Sequence, residues 1–471
     1  MPEDNRELRE INFRRLLPWT ELFRAFRIAL DLRKLTMAAV GLLITIAAWQ
    51  IVSVPFRTEG DDGTPENAVA LPDFGSHWPL GRATDAMNPV GSIVDKDATE
   101  TGLGRAWFGH KTLVLEPFFY LSRPFQQLFA SKPEWSLSNF VHALICGLLA
   151  VLIWAFFGGA ITRLAAVQVA RDEKIGLRES LRFTCGKYFS FVGGPLFPFA
   201  GILIFLLLCL GGGLFVRIPW LGDLFAGVLW VLPLLAGFVM TIILVGVAVG
   251  WPLMFATVSA EGSDSFDALS RSYSYVYQRP WHYAFYWSVA LVYGAIVTGF
   301  VVAFATLLVY LSGWAVSWGA GQENVAALFA YAPEHSDWRA LFGPAPDELT
   351  STLYRDIGAR LVGVWLYVLY GLMAGFVFSY FWSASTIIYF LLRRSVDATD
   401  LDEVYLEEEE QEEFGMSADF EHESGSPAVE PATDQQTETP NHPRGGDAPG
   451  AGEGEPSTDD GSNDPESSPR E

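Results

Sequence analysis

Six stretches of this chain carry no Asp, Glu, Lys or Arg: Leu35–Val54, Asn139–Phe157, Pro195–Val216, Leu224–Phe255, Tyr283–Leu311 and Leu361–Leu392. A helix needs roughly 20 apolar residues to cross a hydrocarbon core about 30 Å thick, and all six runs reach that length. Lipid offers no partner for a backbone N–H or C=O, so each run must satisfy its own peptide groups, which a helix does. The runs predict an all-α integral membrane protein with six transmembrane helices. Leu224–Phe255 and Leu361–Leu392 exceed one bilayer core and are expected to tilt or project beyond it. Pro233 is expected to kink the fourth span, because it removes a helical donor. The first run reads as a retained span: the charged region before it is long, and no small-residue cleavage site follows Val54.

The net charge of −23 seems at odds with so apolar a chain. It is confined to one end. From Ser395 onward there are 24 Asp/Glu against 2 Arg, so the first 394 residues are almost neutral. After Phe420 the sequence is mostly Pro, Gly, Ser, Thr, Asp and Glu, with little apolar surface to offset the entropy of ordering; disorder is predicted there. Those residues are expected to be dispensable for insertion of the membrane body. The run Glu407–Glu413 is expected to pair with nearby bases.

Lys/Arg placement predicts orientation. Eight bases lie in the first 34 residues. Six more, Arg163, Arg171, Lys174, Arg178, Arg182 and Lys187, lie between the second and third spans, and Arg393 and Arg394 close the last. All three segments should face the cytoplasm, with the connections 55–138 and 312–360 exterior. The organisation is then a cytoplasmic segment 1–34, a six-span domain 35–394 and an acidic cytoplasmic tail 395–471, in a bacterial inner membrane. Within the first exterior connection, Phe118, Leu121, Phe125 and Leu128 recur at helical spacing. Two readings of Pro117–Phe129 stand: a short helix on the outer membrane surface, or one packed against its own loop.

An amphipathic stripe precedes every second span. Trp19, Leu22, Phe23, Phe26 and Leu30 form the first, Leu177, Leu181, Cys185 and Tyr188 the second, and Phe266, Leu269, Tyr273 and Val276 the third. Glu173, Glu179, Ser180 and Leu181 align with Glu261, Asp267, Ala268 and Leu269 at an offset of 88 residues. The pattern predicts three repeats of an elbow helix followed by two spans. The opening Ile11-Asn12-Phe13-Arg14-Arg15-Leu16-Leu17-Pro18-Trp19-Thr20-Glu21-Leu22-Phe23 resembles uncharacterised multi-pass membrane proteins of planctomycete-type bacteria. So does Ile387-Ile388-Tyr389-Phe390-Leu391-Leu392-Arg393-Arg394 with Val396-Asp397 and Asp402-Glu403-Val404-Tyr405-Leu406 after it. In architecture alone, the elbow-plus-two-spans unit is similar to the membrane domain attached to some glycerophosphodiester phosphodiesterases. Neither resemblance implies a catalytic residue.

Catalytic and metal signatures are missing from the sequence. There is no His-Glu-x-x-His, phosphate-binding glycine loop, Gly-x-Ser-x-Gly elbow or Cys/His zinc spacing. No catalytic residue, cofactor, metal or nucleic-acid partner is expected. His142 is the candidate intramembrane polar site, read either as a ligand contact or as a histidine bonded to a neighbouring helix. Arg171, Lys174, Arg178 and Arg182 are candidate membrane-surface contacts, read either as facing anionic headgroups or as paired with Asp172, Glu173 and Glu179. The expected partners are membrane lipids, and other membrane or cytoplasmic proteins through the acidic tail. Uncharged runs argue against ion-coupled transport, which needs acids or bases in the membrane. A broken helix at Gly211-Gly212-Gly213 would keep a transporter in play. Gly246 with Gly250, and Gly371 with Gly375, are spaced for close helix packing, within the monomer or between copies. The leading expectation is a non-enzymatic scaffold or regulator of envelope components. The other is a transporter or lipid-handling protein with a site between the repeats.

Overall fold

The structure is a computed structural model that describes residues 17–56, 102–129, 137–218, 222, 227–333, 341–342 and 353–405; for 102–113, 129 and 215 it describes backbone alone. The expectations for the tail beyond Tyr405, for most of the connection 55–138, and for 334–340 and 343–352 in the connection 312–360 fall outside the described residues.

Among the described residues every long element is a helix. A 3-10 turn at Pro18–Phe23 leads into α1 (Arg24–Ala29) and α2 (Leu32–Ser53). Then come α3 (Gly102–Phe129), α4 (Leu137–Arg171), α5 (Leu177–Gly186) and α6 (Tyr188–Val216). They are followed by α7 (Val231–Glu261), α8 (Ser265–Gln278), α9 (Pro280–Ala320), α10 (Gln322–Leu328) and α11 (Leu353–Val396). Six helices, α2, α4, α6, α7, α9 and α11, are long and apolar enough to cross a membrane, as the uncharged runs predict. Each extends past its run at one end or both. The fifth and sixth reach 41 and 44 residues, about 60 Å at 1.5 Å per residue, so both must project beyond the core or tilt strongly.

The elbow order is also present: short helices precede α2, α6 and α9, and α5 and α8 start 88 residues apart. Local chemistry sets the joints. Asp31 caps α2 by accepting from the Arg33 amide at 3.1 Å, and Asp264 caps α8 by accepting from the Asp267 amide at 2.8 Å. Gly262 ends α7 in the left-handed region at φ +63°, with the Tyr405 ring against it.

The elbows gather at one end of the bundle. Arg33 donates to the Ile175 carbonyl, Ser265 to the Phe189 carbonyl, Tyr293 to the Phe23 carbonyl, and the Tyr405 amide to the Ala260 carbonyl. Leu17 and Tyr405 therefore lie at the same end. At this end the helices carry buried bases that the uncharged runs stop short of. Lys34 is wholly buried and donates to the Ile28 carbonyl and the Gln168 side-chain oxygen. Arg163 is buried with its guanidinium 4.1 Å from the Phe183 ring.

Two details differ from expectation. Pro233 sits in the first turn of α7, where no helical bond is lost, while Pro252 is the interior proline of that helix. Helix α6 runs unbroken through Gly211–Gly213. Three of the four paired glycines pack inside the monomer. Gly375 lies against the α2 backbone, Gly246 under Tyr273 and Gly250 near Ser272, whereas Gly371 has open space around it.

Candidate functional site

Helix α3 has the largest effect on what the bundle encloses. Its described side chains wedge between the spans rather than lying on an outer surface; the loop it was also read as packing against lies outside the described residues. Val114, Pro117, Tyr120, Leu121 and Pro124 are all buried, so its apolar surface wraps well beyond the single stripe read from Pro117–Phe129. A helix apolar on most sides belongs inside. Its contacts change along its length. Val114 meets Gly294 of α9, near Tyr380 of α11; Phe118 stacks on Trp251 of α7 at 6.0 Å; Phe125 stacks on Phe199 of α6 at 4.9 Å and fits over Gly147 of α4. The helix thus runs across the bundle, from the α9–α11 side to the α4–α6 side. Among its described side chains two are charged, and they pair: Arg123 bonds Glu116 at 2.9 Å.

Between α3, α4, α6 and α7 lies a partly open cavity of about 430 Å³, within the usual ligand-pocket range of about 300–1,000 Å³. Its walls are aromatic and aliphatic, with Trp154, Trp251, Phe255 and Phe199 among them. Among the described residues, Ser122 and Gln126 supply its hydroxyl and amide groups, and no acid or base lines it. Proline chemistry marks two walls. Pro195 is itself a wall residue, and Pro252 withholds the amide that would bond the carbonyl of Ala248, another wall residue. A second apolar cavity, of about 500 Å³, lies between α9, α10 and α11. A smaller polar one, about 330 Å³, sits at the elbow end beside Arg24, Asp172 and Arg394.

His142 lies apart from these cavities. It is buried at the far end of α4, with Nε2 3.0 Å from Ser53 Oγ on α2 and its ring beside Phe56. Ser53 Oγ donates to the Trp49 carbonyl, so the histidine joins two helices. That geometry is the helix-joining reading; among the described residues, nothing of a ligand site surrounds it.

Arg171, Lys174, Arg178 and Arg182 are all exposed at the elbow end. Asp172, one of their expected partners, instead pairs with Arg24 and Arg27. No ion pair to Lys174, Arg178 or Arg182 occurs among the described residues, though Arg171 does have an electrostatic or hydrogen-bond partner.

The same end holds an ionic hub that sequence reading took only as a repeat marker. Glu261 pairs with Arg271 at 2.9 Å and Arg393 at 3.2 Å, and accepts the Tyr389 hydroxyl. The Arg393 contact is close enough for an ion pair but is not aligned as a hydrogen bond. Burial opposes the Arg271 charge, but Asp267 and Glu261 outweigh it and raise its pKa above the usual value. Burial, reinforced by the bond to Asp397, raises the Tyr275 pKa. The described residues contain no group of three or more His, Cys, Asp or Glu placed to hold a metal.

No protein-family model, curated protein or solved structure matches the chain.

Proposed function

We propose that this chain is a non-enzymatic, lipid-handling protein of a bacterial inner membrane, and that the cavity behind α3 holds a lipid chain. The observation that carries this is a space of about 430 Å³ with aromatic walls and, among the described residues, no charged lining, between spans of a membrane protein. Apolar volume of that kind favours a hydrocarbon chain over an ion or a polar solute. Filling the space gives the test. Ala150→Phe on α4 and Val247→Phe on α7 each place a ring where the cavity is. Purified wild-type protein should carry about one tightly held lipid that survives detergent exchange, and both filled variants should lose it. Equal retained lipid in all three would end this reading.

A scaffold role stands beside it, supported by the exposed Lys174, Arg178 and Arg182. Against an anionic leaflet each base near the surface contributes about 1 kcal/mol. Replacing Arg178 and Arg182 with Gln should cut co-purified anionic lipid at least severalfold, with the effect shrinking at high salt. Unchanged lipid content would mean the row does not touch headgroups.

Both readings place the elbow end in the cytoplasm. Single cysteines should then label from inside at Lys174 and Ser265, and from outside at Asp62 and Asp337. Ser462 should label from inside; it, Asp62 and Asp337 lie beyond the described residues. Labelling of Lys174 and Asp337 from one side would break the topology.

A further inference from the structure

The lipid reading leaves open what kind of lipid, and the polar atoms at the cavity answer it. We infer that the cavity selects an uncharged lipid bearing a hydroxyl head, a long-chain alcohol rather than a fatty acid or phospholipid. This rests on the lipid reading and narrows it.

Charge comes first. An anionic head brought among apolar walls loses its hydration and needs a cation to replace it. Among the described residues no cation lines the cavity. Arg123 is on the same helix, but it is bonded to Glu116 at 2.9 Å and its guanidinium lies 5.5 Å from the Tyr120 ring. Recruiting it would break that pair, and the Glu116 side chain is mostly buried. Among the described residues, then, a carboxylate or phosphate has no counter-charge here, and a cationic head has no acid.

Hydrogen bonding comes second. Gln126 donates from Nε2 to Ser122 Oγ at 2.8 Å, and Ser122 donates to the Phe119 carbonyl at 3.2 Å. The Gln126 amide keeps a second hydrogen and its oxygen for a ligand. The Ala248 carbonyl lacks its helical amide because residue 252 is proline. A hydroxyl both donates and accepts, so it can use an amide oxygen or a carbonyl as well as an N–H. An ionised carboxylate only accepts, and each carbonyl repels it.

Brominated lipids quench tryptophan at contact, and Trp154 and Trp251 are cavity walls. Full-length protein, delipidated in nonionic detergent, would be titrated with dibrominated octadecanol and with dibrominated octadecanoic acid at a pH where the acid is ionised. Wild type minus Ala150→Phe, and wild type minus Val247→Phe, isolates the cavity component from quenching of lipid-facing tryptophans. Far-UV circular dichroism and gel filtration identify which filled variant is folded; either one suffices. The alcohol should give a saturable cavity component, and the acid one at least tenfold weaker in affinity. Gln126→Leu, at an exposed position, should weaken the alcohol severalfold without lowering the quench at saturation. Equal saturable quenching by the acid would overturn the head-group selectivity and leave the lipid reading intact. An unchanged alcohol affinity in Gln126→Leu would also overturn it. No saturable component with either probe would overturn both.

Discussion

Glu261→Ala should destabilise the membrane body by about 3 kcal/mol, the scale on which removing one partner strands a largely buried charge. Glu261 and Arg393 are only 11% and 12% exposed at their side chains, so water cannot take over the lost contact. The carboxylate also ties three elements together. It joins the end of α7 to Arg271 on α8 and to Tyr389 and Arg393 on α11. Thermal unfolding in detergent, followed by loss of the monodisperse gel-filtration peak, should show the drop. A second substitution separates its causes. Arg393 would keep only the Glu403 carbonyl at 2.8 Å and its exposed carboxylate at 3.6 Å, so adding Arg393→Met removes a poorly compensated charge and should recover part of the loss. If the double variant were no more stable than Glu261→Ala, the uncompensated arginine would not be the cause. The single variant melting like wild type would dismiss the hub altogether.

Gly375→Val should cost at least as much. A Cβ at residue 375 would stand 2.7 Å from the Leu35 carbonyl oxygen and 3.1 Å from the Ala39 amide nitrogen. Those atoms are backbone in a continuous helix, so relief requires α2 and α11 to separate. Forced repacking of this kind costs about 1–3 kcal/mol for extra methylenes, and a branched side chain against backbone falls at the top of that range or above. The neighbouring glycine serves as the control. Gly371 has nothing within 4 Å, so Gly371→Val should stay within about 0.5 kcal/mol of wild type, as surface changes do. A reversed order of the two variants would mean that Gly371 makes the tight contact, most simply with another chain.

The spans were legible because membrane burial acts on every residue of a segment, and a run without charge can be read locally. The caps were equally local: Asp31 and Asp264 stand immediately before their helices. Helix α3 was only half legible. Pro117, Pro124, Glu116 and Arg123 give it the look of an exterior surface segment. Nothing near them in sequence reveals that Glu116 and Arg123 cancel, or that Tyr120 meets Trp49 at 4.8 Å. The cavity was not legible at all. Its walls Phe118, Trp154, Phe199 and Trp251 come from four helices; Phe118 stood out only as part of the α3 stripe, and the other three are ordinary apolar residues of their own segments. Ser122 and Gln126 sit four residues apart on one helix, a clue to a polar edge that only the cavity makes meaningful. His142 and the basic row were visible because polar residues stand out against apolar ones, which says little about where a ligand with no charge would go.

The transverse course of α3 also fixes an order of events. Val114 closes against Gly294 and Tyr380, residues of helices that leave the ribosome long after α3 does. At about 5–20 residues per second, Tyr380 follows Val114 by tens of seconds. During that interval α3 has α2 and α4 beside it, then α6 and α7, but no wall on its other flank. Its final seat can form only when α9 and α11 arrive. Until then the Glu116–Arg123 pair, two prolines and a band of aromatic rings must wait half-housed. A nascent chain halted before α9 would therefore present α3 to whatever factors attend membrane insertion, and completion of the last span would be the event that withdraws it.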